Sequence, residues 1–199
     1  EMQIEFTIEN GQLHILDGIR VMRRPRAAVS IAVSLAKDKI ISKEEALVRV
    51  DPRAVGELLH RQIDPNAERD ILARGVAASP GAATGTVVFS ASEAQACAAR
   101  GEECILVRRE TSPEDIRGMH AAAGVLTERG GTTSHAAVIG RGIGLPCVVG
   151  VSELNFNSNN KAFTISDGRF FKEGDSITID GTRGHVLGGT PKMIEAALD

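Results

Sequence analysis

Gly130-Gly131-Thr132-Thr133-Ser134-His135 runs straight into Ala136-Ala137-Val138-Ile139, setting a histidine where a helix begins, behind two glycines and three hydroxyl residues. Each residue type suits anion chemistry. Gly130 and Gly131 let the backbone turn tightly and expose N–H groups. Thr132, Thr133 and Ser134 add hydroxyl donors, and the positive end of the helix dipole faces a bound anion. A phosphoryl group fits such a cradle. The same dipole disfavours an imidazolium, so His135 is expected as a neutral ring whose nitrogen attacks phosphorus in line, with the charge on the equatorial oxygens held by backbone N–H groups and hydroxyls. An isolated histidine is most often a surface residue. The setting of His135 argues for chemistry instead.

Two arginines flank the cradle and could clamp phosphate as planar forks. Arg129 lies in the turn before the glycines, where a clamp and a solvent-facing role are both open. Arg141 lies six residues into the helix, about 9 Å along its axis, which points to a surface or packing role. His14, His60, His120 and His185 have no cradle around them and are expected to be structural or solvent-facing. Gly140-Arg141-Gly142-Ile143-Gly144 has a dinucleotide-like look, but it lies inside a helix rather than between a strand and a helix, so it is rejected.

The elements that must hold these residues can be read around them. Ala136, Ile139, Gly140 and Ile143 form one narrow face of mostly small residues, so the helix behind His135 can approach a sheet closely. From about Arg74 to Gly189 the pattern is of short strands and glycine-rich turns: Thr84–Phe89, Cys104–Val107, Gly124–Thr127, Cys147–Val149, Phe163–Ile165, Ser176–Asp180 and His185–Leu187. Three helices interrupt them, one capped by Ser92, one opening at Ser112-Pro113 and running to Met119, and one starting at Thr133 or Ser134. Mixed strands and helices imply layered α/β packing.

Upstream, Ile4, Phe6 and Ile8 alternate ahead of a Glu9-Asn10-Gly11 turn, with Leu13 and Ile15 beyond, which reads as a β-hairpin. Two strands are marginal alone, so the hairpin is expected to belong to a larger sheet upstream. A helical run from Pro25 follows, then a helix from Ser42-Lys43-Glu44-Glu45 to about Val50, and a third capped by Asp51 with Pro52 at its first position. Thr190-Pro191 is expected to begin a last helix.

Composition excludes several classes. A net charge of −3 and 3% aromatic residues, with no Trp or Tyr, give neither the basic footprint nor the stacking platforms of a nucleic-acid binder. Cys97, Cys104 and Cys147 show no Cys-x-x-Cys spacing and no zinc pattern, so no metal ligand and no disulfide framework is indicated, and a reducing cytoplasm fits. No window of about 18 apolar residues suggests a membrane span.

Thr127 to Gly150, with Gly-Gly-x-Thr-Ser-His-Ala-Ala-Val, then Arg141-Gly142 and Gly144-x-Pro146, resembles the phosphohistidine segment of the phosphoenolpyruvate-utilising enzymes. Four further segments resemble the dikinase branch of that family: Glu110-Thr111-Ser112-Pro113-Glu114-Asp115-Ile116, Gly118-Met119-His120-Ala121-Ala122, Ala78-Ser79-Pro80-Gly81-Ala82-Ala83-Thr84-Gly85, and Ile4-Glu5-Phe6-Thr7-Ile8-Glu9-Asn10-Gly11. The resemblance implies that ATP and phosphate give AMP, pyrophosphate and phosphorylated His135, which then turns pyruvate into phosphoenolpyruvate, reversibly. It implies a swivelling three-layer β/β/α phosphohistidine domain at 74–189. Around that domain it implies a remnant of an ATP-grasp nucleotide-binding domain at 1–23, a helical connector at 24–73, and the start of a linker to a C-terminal barrel at 190–199.

Further implications concern partners. His135 would shuttle between the ATP-grasp domain and the pyruvate/phosphoenolpyruvate barrel of the same polypeptide, so this piece alone would be inactive. Mg²⁺ would serve both reactions with ligands mainly outside this chain, and the full enzyme would be a homodimer. The hinges would map to the connector before Arg74 and to the segment from Gly188 to Pro191. Thr133 matches a threonine modified by a regulatory kinase/phosphorylase in some members. A charge of about −1.5 to −2 there would repel an incoming phosphoryl group, but a plain cap or phosphate-donor role is equally open.

Alternatives remain at this stage: the same domain of a phosphoenolpyruvate synthase or of sugar-phosphotransferase enzyme I, or a non-catalytic anion-binding module. Thr132, where those sisters often carry Arg, argues against the first two. Asp17-Gly18-Ile19-Arg20 departs from the family pattern at its nucleotide-facing residues, so no nucleotide-binding residue is carried over. Gly140 stands where alanine is usual, at about 0.5 to 1 kcal/mol of helix propensity.

Overall fold

The computed structural model describes residues 2–20, 25–157 and 161–196. It comprises two compact units, Glu1–Gly56 and Glu57–Asp199.

In the first unit, β1 (Met2–Glu9) and β2 (Gln12–Arg20) pair antiparallel across a two-residue turn. Asn10 and Gly11 both take positive φ, 52° and 79°, as a hairpin turn matched to the strand twist requires. Phe6 faces Ile15 and Ile8 faces Leu13, and all four side chains are more than half exposed. Helices α1 (Pro25–Lys37) and α2 (Lys43–Val48) follow, and α3 (Pro52–Leu58) spans the division after Gly56. Ser42 Oγ accepts the Glu45 N–H at 3.1 Å, so α2 starts at its expected cap but stops at Val48 rather than Val50. The expected boundary between 23 and 24 lies outside the described residues.

The second unit contains β3 (Gln62–Ile63), β4 (Ile71–Arg74), β5 (Val76–Ser79), β6 (Ala82–Val88), α4 (Ala91–Ala99), β7 (Cys104–Arg108), a 3₁₀ turn at Pro113–Asp115, and α5 (Ile116–Ala121). It continues with β8 (Gly124–Thr127), α6 (His135–Ile143), β9 (Cys147–Val149), β10 (Leu154–Asn157), β11 (Ala162–Ile165), β12 (Phe170–Lys172), β13 (Ser176–Asp180), β14 (His185–Gly188) and β15 (Met193–Ile194).

Eight strands form one sheet in the order β4-β14-β13-β6-β7-β8-β9-β5. β6 to β9 run parallel, with α4, α5 and α6 as their crossovers, and the flanking pairs are antiparallel. β4 and β5 stand at opposite ends of that order yet are separated in sequence by Gly75 alone, so the sheet must curl until its edges meet. Gly75 is small for that reason: a Cβ there would lie 2.8 Å from the Val149 carbonyl.

Strand alternation sorts the core. Ile105, Val107, Leu126 and Val148 point into one cluster with Ile177, Ile179, Val186 and, from the separate β10-β11-β12 sheet, Leu154, Phe163 and Ile165. Cys104, Leu106, Val125, Cys147 and Val149 point the other way, onto Ala94, Cys97, Met119, Ala136 and Ala137 of the three helices. Small residues on α6 permit that approach. At Gly140 a Cβ would collide with Cys147 Sγ, so the glycine read in sequence as a propensity cost is set by packing.

Several expectations need correction. α4 is capped by Ser90, not Ser92: Ser90 Oγ accepts the Glu93 N–H at 3.2 Å while Glu93 Oε2 accepts the Ser90 N–H at 3.0 Å, a reciprocal box that needs the Ser-x-x-Glu spacing. The division at 73/74 falls just inside the end of β4, which pairs with β14, so residues 57–73 join the second unit rather than the helical connector. The helix expected from Thr190-Pro191 is absent among the described residues. Met193 and Ile194 form β15, paired with Ile63 and Gln62 of β3, because that antiparallel partner offers a ladder the exposed segment otherwise lacks.

Candidate active site

His135 is the first residue of α6, and Ser134 is its cap with extended backbone (φ −64°, ψ 159°). The cradle therefore fills the loop from the carboxyl end of β8 to the start of α6, and the equivalent loop after β7 carries Thr111. In open α/β sheets ligands bind beyond the carboxyl ends of the parallel strands. The two loops meet: His135 Nδ1 lies 3.3 Å from Thr111 Oγ1. Thr111 is buried, and His135 is half-buried.

Each loop is fixed from below. Asp115, also buried, accepts the Ser112 N–H at 2.9 Å and pairs with Arg108 at 3.3 Å, which holds the turn carrying Thr111. In the cradle, Thr127 Oγ1 donates to the Arg129 carbonyl at 2.7 Å. The Gly131 carbonyl accepts from both the N–H and Oγ of Ser134, at 3.0 and 2.8 Å. Arg141 Nη2 donates to the Thr132 carbonyl at 2.8 Å.

Across a trans peptide the C=O and the next N–H point in opposite directions. Occupied carbonyls at 129, 131 and 132 thus turn the N–H groups of Gly130, Thr132 and Thr133 to the free side. Among the described residues, no acceptor is bound by the N–H groups of Gly130, Gly131, Thr132 or Thr133, nor by those of His135, Ala136 and Ala137 in the first turn of α6. That is a concentration of orphan donors at a helix N-terminus, the arrangement that binds anions.

The glycines have distinct reasons. Gly130 has φ +123°, and a Cβ there would come 3.0 Å from Ser134. Gly131 has open space around it, so its missing side chain leaves access rather than relieving a clash. Beneath them Gly150, at φ +64°, admits the Gly130 carbonyl, and a Cβ there would collide with it.

Residues 100–184, which hold Thr111, the cradle and His135, match the family model described as the PEP-utilising enzyme mobile domain. The chain is similar there to that mobile domain. It is 51% identical over 98% of its length to the pyruvate, phosphate dikinase of Rhizobium meliloti, covering 22% of that protein. It is 46% identical over 98% to the pyruvate, phosphate dikinase of Clostridium symbiosum, again covering 22%. Against the chloroplastic pyruvate, phosphate dikinase of Flaveria trinervia it is 46% identical over 99%, covering 21%. The chain thus spans about a fifth of the length of these curated relatives.

Within the matched segment the candidate residues Gly130, Gly131, Thr132, Thr133, Ser134 and His135 lie together. Thr132, Thr133 and Arg129 are exposed, and the Arg129 guanidinium has no partner among the described residues. Ser134 spends its hydroxyl on the Gly131 carbonyl, so it builds the loop rather than facing an anion as a donor. Arg141 differs most from its sequence reading. Helical side chains lean toward the N-terminus, and its guanidinium reaches back to Thr132 and, through Nη1, to the Ala78 carbonyl at 2.9 Å.

Thr111 was missed as a site residue because 24 positions separate it from His135, and only the pairing of β7 with β8 brings them together. Its one local signal was the Ser112-Pro113 helix start just after it. Among the described residues, no group of three or more His, Cys, Asp or Glu converges as a metal site. Nor is any described helix long and apolar enough to cross a membrane. The three cysteines are free and buried, and desolvation pushes the Cys147 thiol up to about 12.

Proposed function

We propose that His135 is the phosphoryl carrier of a pyruvate phosphate dikinase. The observation that supports this most directly is the run of unpartnered N–H groups in the loop and first helical turn beside a histidine whose Nδ1 lies against Thr111. When Nδ1–H donates to Thr111 Oγ1, Nε2 keeps its lone pair and serves as the nucleophile. Nε2 attacks the β-phosphorus of ATP as its bond to AMP breaks, inorganic phosphate then takes the terminal phosphoryl group as pyrophosphate and leaves one phosphoryl group on Nε2, and the N–H groups of Gly130 to Thr133 hold the equatorial oxygens. ATP and phosphate give AMP, pyrophosphate and phosphohistidine, and the reverse geometry passes the group to pyruvate. Arg129 clamps the phosphoryl group from the rim.

In this reading the curled sheet and its helices are the three-layer β/β/α swivelling domain. The uncovered hairpin is the end of an ATP-grasp domain, the barrel lies beyond residue 190, and Mg²⁺ is held by those parts of a cytoplasmic, homodimeric enzyme. The pivot lies outside the β3–β15 ribbon, which Asp64–Lys192 (3.6 Å) and Arg61–Glu195 (3.1 Å) tie together. Thr133, exposed two residues before the nucleophile, is the target of a regulatory kinase/phosphorylase.

The test is His135→Asn in the full-length protein, with labelled ATP, phosphate and pyruvate. Acid-labile label on residue 135 and phosphoenolpyruvate formation should both vanish. Undiminished phosphoenolpyruvate formation by this variant sinks the carrier assignment.

A further inference from the structure

We propose that Arg141 is the positioning residue of the cradle: its one planar guanidinium ties the exposed Thr132 carbonyl to the sheet and thereby aims the Thr133 N–H at the anion. The kinetic part of this proposal rests on the phosphoryl-carrier reading; the geometric part does not.

The two prongs end on unlike partners. Nη1 donates to Ala78 in β5, a strand hydrogen-bonded to β9 at the sheet edge, and Ala78 is buried. Nη2 donates to Thr132, which is exposed and whose carbonyl has no other donor among the described residues. A rigid element thus holds a loop through a single delocalised group. The neighbouring loop carbonyls are held locally, Arg129 by Thr127 and Gly131 by Ser134, both within three residues. Thr132 alone depends on a tether from the last turn of α6.

Released, the peptide between Thr132 and Thr133 could rotate. Its carbonyl would then face the site of negative charge, and one aligned donor would become a repelling dipole. Arg141 meets no anion itself, since both prongs are occupied, so it acts through the loop. Lysine cannot replace it, because one ammonium on a flexible stem cannot span two fixed carbonyls in a plane.

The experiment uses the full-length protein as wild type, Arg141→Lys and Arg141→Ala, each with and without millimolar ethylguanidinium. The rate of acid-labile labelling of His135 should fall about 10- to 100-fold in Arg141→Ala, with the nucleotide KM unchanged. It should stay within about threefold of that value in Arg141→Lys, and recover with ethylguanidinium but not with ethylammonium. Wild-type rate in Arg141→Lys overturns the proposal. So does a loss in Arg141→Ala that ethylguanidinium fails to restore.

A second readout needs no activity. Trypsin cleavage after exposed Arg129, followed as new termini at Gly130, should rise about fivefold in Arg141→Ala and fall back with ethylguanidinium, as a loosened loop becomes a better substrate. Unchanged cleavage overturns the loop tether. If wild-type protein takes no label on His135 while this cleavage pattern holds, the carrier reading fails and the tether stands.

Discussion

Thr111 Oγ1 lies 3.3 Å from His135 Nδ1, joining the loop after β7 to the first residue of α6. A buried hydroxyl on one ring nitrogen fixes the orientation of the imidazole and leaves the other nitrogen for chemistry. Thr111→Val keeps the shape and removes the partner. Labelling of His135 in the full-length protein should slow about tenfold, the worth of one hydrogen bond of about 1.4 kcal/mol. Thr111→Ser should restore most of the rate, and equal rates in all three proteins would show that the contact does not orient the ring.

Gly150 and Gly131 should respond oppositely to alanine. At Gly150 a Cβ meets the Gly130 carbonyl and the backbone is left-handed, so Gly150→Ala should cost about 1–3 kcal/mol in urea unfolding. At Gly131 nothing lies within 4 Å, so Gly131→Ala should change stability by less than about 0.5 kcal/mol while slowing labelling of His135. Equal stability losses would remove the distinction between a packing glycine and an access glycine.

Burial lifts the Cys147 thiol to about 12, above the value of an unfolded thiol near 8.5. A raised folded value stabilises fully below the unfolded one and is lost as pH climbs toward the folded one. Stability should therefore fall between about pH 8.5 and 12, with Cys147 contributing about 1.4 kcal/mol per unit. Cys147→Ala should flatten that slope in urea titrations at pH 8, 9 and 10. In the native protein at pH 8, iodoacetamide should leave Cys147 unmodified until urea is added.

Gln62 faces Ile194 across the β3–β15 ribbon. Directly paired antiparallel residues lie within disulfide reach. Gln62→Cys with Ile194→Cys should therefore crosslink on mild oxidation, seen as a mobility shift reversed by reductant. Failure to crosslink, with both thiols reactive to reagent, would mean the exit segment does not run as a strand beside β3.

Much of the site was legible because its cause is local. The Gly-Gly run, the hydroxyls and the histidine before a small-residue face are neighbours in sequence, and α6 begins at His135 with Ser134 as its cap. The hairpin turn at Asn10-Gly11 and the Ser42 cap are equally local. β4 and β5 were not legible. Ile71-Leu72-Ala73-Arg74-Gly75-Val76-Ala77-Ala78-Ser79 is too short and weakly alternating to read as two strands, and each forms only because a distant edge, β14 or β9, supplies its ladder. The same holds for β15, read as a helix start until β3 gave it a partner.

The cradle, the nucleophile candidate and the helix that carries it follow from local spacing along the chain, since tight turns, orphan N–H groups and a cap depend on residues within one or two helical turns. Their surroundings come from long-range packing. Thr111 reaches His135 through the pairing of two parallel strands, Gly140 is fixed by Cys147 across the helix–sheet contact, and Arg141 finds Thr132 and Ala78 because a long side chain leans back along its helix. Contacts of that kind depend on which strands become neighbours, and no local spacing encodes them.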